Sequence, residues 1–364
     1  MTIDVLRGLT LALMIVVNMS ISETQSYAPL LHAPWHGLTL TDLVFPSFLF
    51  VVGTAMAFTL DRYEAQGTAA FLSKVARRTA LIFLCGYLLY WFPFFRVDAA
   101  GALELRPLAE TRIPGVLQRI ALCYGAAALI VHAGGVRLAL AFSAAALLGT
   151  WALLVGFGDL TLKGNAALKL DLWLLGPGHL YQGEGIPFDP EGLLGTLPAT
   201  VNVLAGWLAG HALRRSGANW ETVARLALAG AACVALAWLW SELLPFNKKL
   251  WTSSYTLVSC GVALVLLAAL VWRFQLRAPA PRWGWFFEIF GRNTLFLYLV
   301  AELTMAVLWL TQVGGQATML WLYDGLFRSW LPDKPASLLF ALVFMGACWA
   351  VGWILDRRRI YIKL

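Results

Sequence analysis

Ten blocks of apolar residues, separated by short polar breaks, constrain this 364-residue chain more than any motif within it. They lie near residues 5–21, 42–60, 79–95, 114–133, 138–156, 196–213, 226–245, 256–273, 286–310 and 336–355. Each approaches the ~20 residues that cross a hydrocarbon core, whereas a soluble protein would show amphipathic stripes. Only 13% of the residues are charged, against about 25% in ordinary soluble domains. The expected fold is therefore all-α, a polytopic bundle of about ten transmembrane helices forming a single domain over residues 1–364. The first block carries only Arg7 as a nearby positive charge, and no small-residue cleavage site follows it. It reads as a retained helix, not a signal peptide.

The net charge of +7 does not point to nucleic acid, because of where the charges fall. With a cytoplasmic N-terminus, the inner segments hold 16 Lys or Arg against 5 acids, and the outer loops 9 against 11. That is the positive-inside pattern, which puts both termini in the cytoplasm. The longer connections (22–41, 96–113, 157–195 and 311–335) then lie outside, where loops of that length are usually functional. The five cysteines, at 85, 123, 233, 260 and 348, all fall in or at the ends of apolar blocks, with no CxxC pair. They read as buried thiols, not a disulfide framework or a zinc site.

The polar residues that stand out gather at the outer ends of the blocks. In "LLHAPWHGLTLTDLVFPSFLF" (30–50), His32 is a candidate general base or acyl acceptor. Asp42 either caps the following helix, orients an imidazole, or does both. His32 and His36 have metal-ligand spacing on a helix, but Pro34 between them disfavours that helix. No metal is expected.

In "ETRIPGVLQRIALCYG" (110–125), Arg112 and Arg119 are seven residues apart, two turns on one helical face. Gln118 and Arg119 fall inside the membrane, where such groups face a partner or a cavity. Either a structural ion pair or an anion or carbonyl contact would explain them. In "GHLYQGEGIPFDPEGLLGT" (178–196), Asp189-Pro190-Glu191 reads as a helix start. His179, Glu184, Asp189 and Glu191 also make an acidic outer loop suited to a cationic or sugar-like acceptor. Lys248 and Lys249 sit in an outer turn, as interfacial anchors or phosphate ligands. Arg292, Asn293 and Glu302 fall within the ninth block, functional candidates by position alone. No Walker A loop, dinucleotide fingerprint or GxSxG elbow is present. At this level transporter and membrane enzyme are both open.

Six of these stretches together resemble the heparan-α-glucosaminide N-acetyltransferase family and its bacterial relatives. They are "IDVLRGLTLALMIVVN" (3–18), "LLHAPWHGLTLTDLVFPSFLFVVG" (30–53), "RIPGVLQRI" (112–120), "FDPEGLLGT" (188–196), "NKKLWTSSY" (247–255) and "GRNTLFLY" (291–298). The resemblance implies transmembrane transfer of an acetyl group from cytosolic acetyl-CoA to the amino group of a glucosamine. The family's active-site histidine lies in a block HAxWxG, which is His32 here, and His36 stands where the human enzyme has asparagine. The chain starts almost at its first span, which looks like a bacterial member, with an inner-membrane location and an acceptor other than heparan. A more distant likeness, to membrane O-acyltransferases, lies in the "DVLRGL" helix. Asn18 replaces the histidine those proteins carry eleven residues after the arginine, which leaves Arg7 and Asn18 as donor contacts.

The expected mechanism is acyl transfer at an outward vestibule. His32 acts as base or acyl carrier and Asp42 holds its ring. Arg112, Gln118, Arg119 and Asn18 face the donor or its carbonyl, and Lys248, Lys249, Arg292 and Asn293 are weaker candidates for the donor. Acetyl-CoA is the expected co-substrate. The bilayer and a glycan or amino-sugar acceptor are the expected partners, with a homodimer as a further option. The alternatives are an O-acyltransferase of a cell-envelope glycan or lipid, and a small-solute transporter.

Overall fold

The computed structural model describes residues 2–22, 24–97, 102–279 and 281–362. All ten apolar blocks are helical. The helices are α1 (Thr2–Asn18), α2 (Leu40–Met56), α3 (Thr68–Trp91), α4 (Val116–Phe157), α5 (Thr196–Ser216), α6 (Trp220–Ser241), α7 (Ser253–Val271), α8 (Gly284–Arg292), α9 (Thr294–Leu310) and α10 (Asp333–Arg357). Strand is confined, among the described residues, to two small antiparallel hairpins, Phe95–Val97 with Leu103–Leu105 and Gln312–Val313 with Gln316–Ala317.

Among the described residues, four helical stretches are long and apolar enough to cross a membrane: α4, α6, Ser253–Leu276 and α10. The pair α8 and α9 makes a fifth if its 83° bend lies within one span. The chain is thus a mostly helical membrane protein. Helices α1 and α2 have 17 residues each, about 25 Å at the helical rise, and fall short on length alone.

Two blocks fuse into α4 across a break at Gly135, whose φ of 54° and ψ of −141° are not helical. Arg119, near the start of α4, reaches Gly192 and Trp251. Leu147 on the other arm accepts a hydrogen bond from Ser253, and Leu154 packs with Leu250. Both arms therefore return to the same side, and the 42-residue stretch is a helical hairpin.

Close helix contact at glycine fixes α2 against α5. A Cβ on Gly53 would stand 1.8 Å from the Val203 carbonyl oxygen, and one on Gly206 1.8 Å from that of Phe50. Small residues at such crossings let backbones pack directly in a membrane, where there is no hydrophobic drive between helices. This crossing sets the position of the α2 N-terminus, where the site begins.

Candidate functional site

Thr39 has extended backbone (φ −115°, ψ 172°) and starts α2 as its N-cap. Its hydroxyl oxygen accepts the Asp42 N–H at 3.4 Å, and the Asp42 carboxylate reaches back to the Thr39 N–H at 3.0 Å, a reciprocal capping box. The same oxygen, Oδ2, also accepts the Thr39 hydroxyl at 3.0 Å and the Ala33 N–H at 3.2 Å. Asp42 Oδ1 is left for one partner, Nδ1 of His32 at 2.7 Å. The carboxylate is 1% exposed and the imidazole 46%. Asp42 is therefore both cap and orienter. A buried carboxylate accepts hydrogen bonds, so the proton sits on Nδ1 and the Nε2 lone pair is free. Tyr255 steadies the same turn, its hydroxyl donating to the Asp42 carbonyl at 2.6 Å.

His32 and Asp42 open onto a cavity of about 500 Å³. Its far wall is built around Arg112, which binds Asp189 through two nitrogens at 2.8 and 2.7 Å and Glu191 at 2.6 Å. The guanidinium lies between the rings of Tyr90 and Tyr181, 4.7 and 4.9 Å from their centroids. Burial alone would lower the Arg112 pKa, but the two carboxylates outweigh it and hold the proton more firmly. Burial likewise works to raise Glu191, and the Arg112, Arg119 and Lys248 cations reverse that, so its pKa is lowered. Opposite stand Lys248, its Nζ 3.2 Å from both nitrogens of the His32 ring, and Lys249, bound to Glu184 at 2.7 Å and to the Pro34 carbonyl at 2.9 Å. Asn18 lines the cavity with its amide on Glu302 at 2.9 Å.

Arg119 and Gln118 are 1% exposed. Arg119 donates to the Gly192 carbonyl at 2.7 Å and lies over the Trp251 ring. Its Nε and Nη1, and both amide atoms of Gln118, have no partner among the described residues.

Several expectations need correction. Helix α4 begins at Val116, so Arg112 precedes it and does not share a helical face with Arg119. Helix α5 begins at Thr196, not Pro190. Asp189 instead caps its own turn, accepting the Glu191 and Tyr181 N–H groups while it holds Arg112. His179 lies outside the cavity lining and ties two loops together through the Thr111 carbonyl at 2.8 Å. His36 does not converge with His32; its Nδ1 stands 3.4 Å from the Asn247 amide.

Three further candidates belong to the other end of the bundle. Arg7 donates to the Gly291 carbonyl at 2.9 Å, pairs with Asp4 and lines a separate crevice of about 420 Å³ with Thr2 and Gln275. Arg292 pairs with Asp356 at 2.6 Å, and Asn293 holds the tail through Ile360 and Ile362. Tyr90, Tyr181 and Trp35 line the cavity without having been singled out from sequence. Aromatics at block ends look like interfacial anchors, and nothing local distinguishes these three.

Residues 1–238 match the family described as heparan-alpha-glucosaminide N-acetyltransferase, catalytic. The chain belongs to this family. Among curated relatives, the human heparan-alpha-glucosaminide N-acetyltransferase is 27% identical over 83% of this chain and 52% of its own length. The mouse protein of the same name is 28% identical over 73% of this chain and 48% of its own. The chain thus spans about half the length of the curated relatives it matches. The family match includes His32, Asp42, Arg112 and Glu191, and ends before Lys248.

Proposed function

We propose that this protein is a ten-span acetyltransferase of a bacterial inner membrane, with both termini in the cytoplasm. It moves an acetyl group from cytosolic acetyl-CoA to the amine of a glucosamine-like sugar in the His32 cavity. The observation that carries this reading is the imidazole held through Nδ1 by a buried carboxylate, with Nε2 free in a cavity rich in carboxylates. As a base, His32 takes the proton from the acceptor amine as its nitrogen attacks the thioester, then gives it to the departing sulfur. Asp42 stabilises the imidazolium in between. Glu184 and Glu191, each held by a cation, keep lone pairs that can accept the hydroxyls and the neutral amine of an amino sugar. They disfavour the phosphates of the donor, which supports entry of the nucleotide from the inner side. Arg7 at the inner crevice, and Gln118 and Arg119 between the two ends, are our candidates for the donor's path.

The test is purified protein in detergent with labelled acetyl-CoA and a panel of amino sugars. Wild type should label at least one, and His32→Ala none, while His36→Asn keeps most activity. Equal loss in the two variants would mean that His32 is not the base. Solute uptake that needs no acetyl-CoA would favour a transporter.

A further inference from the structure

Lys248 is held against His32 by a rigid turn. Asn247 accepts the Leu250 N–H at 2.8 Å and donates its own N–H to the Thr252 hydroxyl at 3.1 Å. The turn is tied to the histidine loop at two points, Gly37 N–H to the Phe246 carbonyl at 2.9 Å and Lys249 to the Pro34 carbonyl at 2.9 Å. Nζ of Lys248 lies 3.2 Å from both imidazole nitrogens. A point equidistant from both at that range and in the ring plane would overlap Cε1, so the ammonium stands over the ring face. It leaves the in-plane Nε2 lone pair open.

The other cations that line this cavity are already paired. Arg112 is bound by Asp189 and Glu191, and Lys249 by Glu184. Lys248 has no carboxylate within ion-pair distance among the described residues; its nearest polar neighbour is the His32 ring, which it meets at the face. The charged and titratable groups around it are His32, Asp42, Glu191, Lys249 and Arg119. A donor phosphate on Nζ would sit over the catalytic ring and beside two carboxylates, Asp42 and Glu191.

Resting on the acetyl-transfer reading above, we infer that Lys248 is the oxyanion donor of the reaction. The amine nitrogen forms its bond to the thioester carbon at Nε2 while the carbonyl π pair moves onto oxygen. Lys248 donates an N–H to that oxygen. The amine proton passes to Nε2, the tetrahedral centre collapses, the C–S bond breaks, and the thiolate takes the proton back from His32. Lys248 keeps its own proton throughout. Fixed donors aimed at developing charge in a water-poor site commonly contribute the largest single share of catalysis.

The experiment compares acetyl-CoA with S-acetyl-pantetheine, which has the thioester but not the nucleotide, on wild type, Lys248→Met and Lys248→Arg. Lys248→Met should lose about 10²–10³ in kcat with both donors, the usual effect of removing one oxyanion donor, with KM for acetyl-CoA little changed. Lys248→Arg, which keeps charge and N–H donors, should recover part of the loss and also covers the case in which Lys248→Met does not fold. A rise in KM for acetyl-CoA alone, with the short donor unaffected, would overturn the inference and make Lys248 a phosphate ligand. Unchanged kcat in Lys248→Met would overturn it equally. If wild type acetylates no amine from either donor, the acetyl-transfer reading fails, and this inference with it.

Discussion

Asp42→Asn should separate the two duties of Asp42. Asparagine offers one carbonyl oxygen and one amide nitrogen in place of two acceptors. Three donors face Oδ2, the Thr39 N–H, the Thr39 hydroxyl and the Ala33 N–H, and each would cost about 1–3 kcal/mol if left unpaired. The carbonyl oxygen therefore stays with them, and the amide turns toward His32. There it donates to Nδ1, which drives the ring proton to Nε2 and removes the base, along with the charge that stabilises the imidazolium. The same change in a Ser-His-Asp triad costs about 10⁴ in kcat. We expect a loss of 10³–10⁴ here, roughly 4–5.5 kcal/mol of barrier, with the melting midpoint within about 4 °C of wild type. Asp42→Ala should lose the activity and also leave the Thr39 and Ala33 donors unpaired, a destabilisation of at least about 2 kcal/mol. Acetyl transfer at saturating donor, beside thermal unfolding followed by fluorescence, measures both. Turnover of Asp42→Asn within tenfold of wild type, or instability equal to that of Asp42→Ala, would refute the division.

Asp171, buried in the helix Ala166–Leu174, has its pKa pushed up to about 6 by burial. A raised folded-state pKa makes the charged form a liability, so its stability contribution is full below about pH 4 and lost as pH rises through 6. Asp171→Asn should keep the acceptor for the Leu193 N–H and raise the melting midpoint at pH 8, with no gain at pH 4; a uniform shift would refute this. Gly53→Ala should prevent recovery of monodisperse protein, because its Cβ meets the Val203 carbonyl, while Gly149→Ala, with open space around it, should be neutral or slightly stabilising by size-exclusion and melting assays. In a background without native cysteines, Lys163→Cys should react with an impermeant thiol reagent in intact cells and Gln66→Cys only after lysis. Both positions are exposed, so the reverse pattern would invert the proposed topology.

The parts of the site that sequence makes legible are those built from neighbours in the chain. Thr39 and Asp42 spell a capping box before an apolar run, and His32 lies ten residues from the carboxylate it contacts. Arg112 is misleading because its seven-residue spacing from Arg119 suggests one helix, whereas the Pro114-Gly115 pair delays the helix to Val116. Asp189-Pro190-Glu191 has every local mark of a helix start, but the two carboxylates neutralise Arg112, 77 and 79 residues away in sequence. A tertiary ion pair overrides a local preference, and no window of sequence contains both halves of it. The ninth block is bent, not straight. Gly291-Arg292-Asn293-Thr294 interrupts the apolar run, and the backbone turns 83° there. Arg292 and Asn293 thus reach Asp356 and the tail, while Glu302, on the next helix, reaches Asn18 in the cavity.

Residue type did not separate chemistry from architecture in this protein; hydrogen-bond saturation does. Arg112, Arg292 and Lys249 looked like ligand contacts, and each is bound by carboxylates that a ligand would have to displace. For Arg112, whose partner Asp189 is fully buried, breaking the pair leaves a charge uncompensated and costs about 3–5 kcal/mol, which an ordinary substrate contact does not return. Among the candidates named from sequence, the groups left with capacity are Nε2 of His32, Nζ of Lys248, two nitrogens of Arg119 and the Gln118 amide. Buried polar groups without partners are few in folded proteins; others occur at Arg78, Thr79, Tyr124, Thr150 and Asp171, but Gln118 stands behind Tyr90 of the cavity wall, and Arg119 follows it in the chain. A ligand can use the last two without first breaking an ion pair, so on the reading proposed above the donor's thioester arm would run on the Gln118 and Arg119 side of His32 and the amino sugar on the side of Glu184 and Glu191, adding hydrogen bonds to carboxylates that keep their cations.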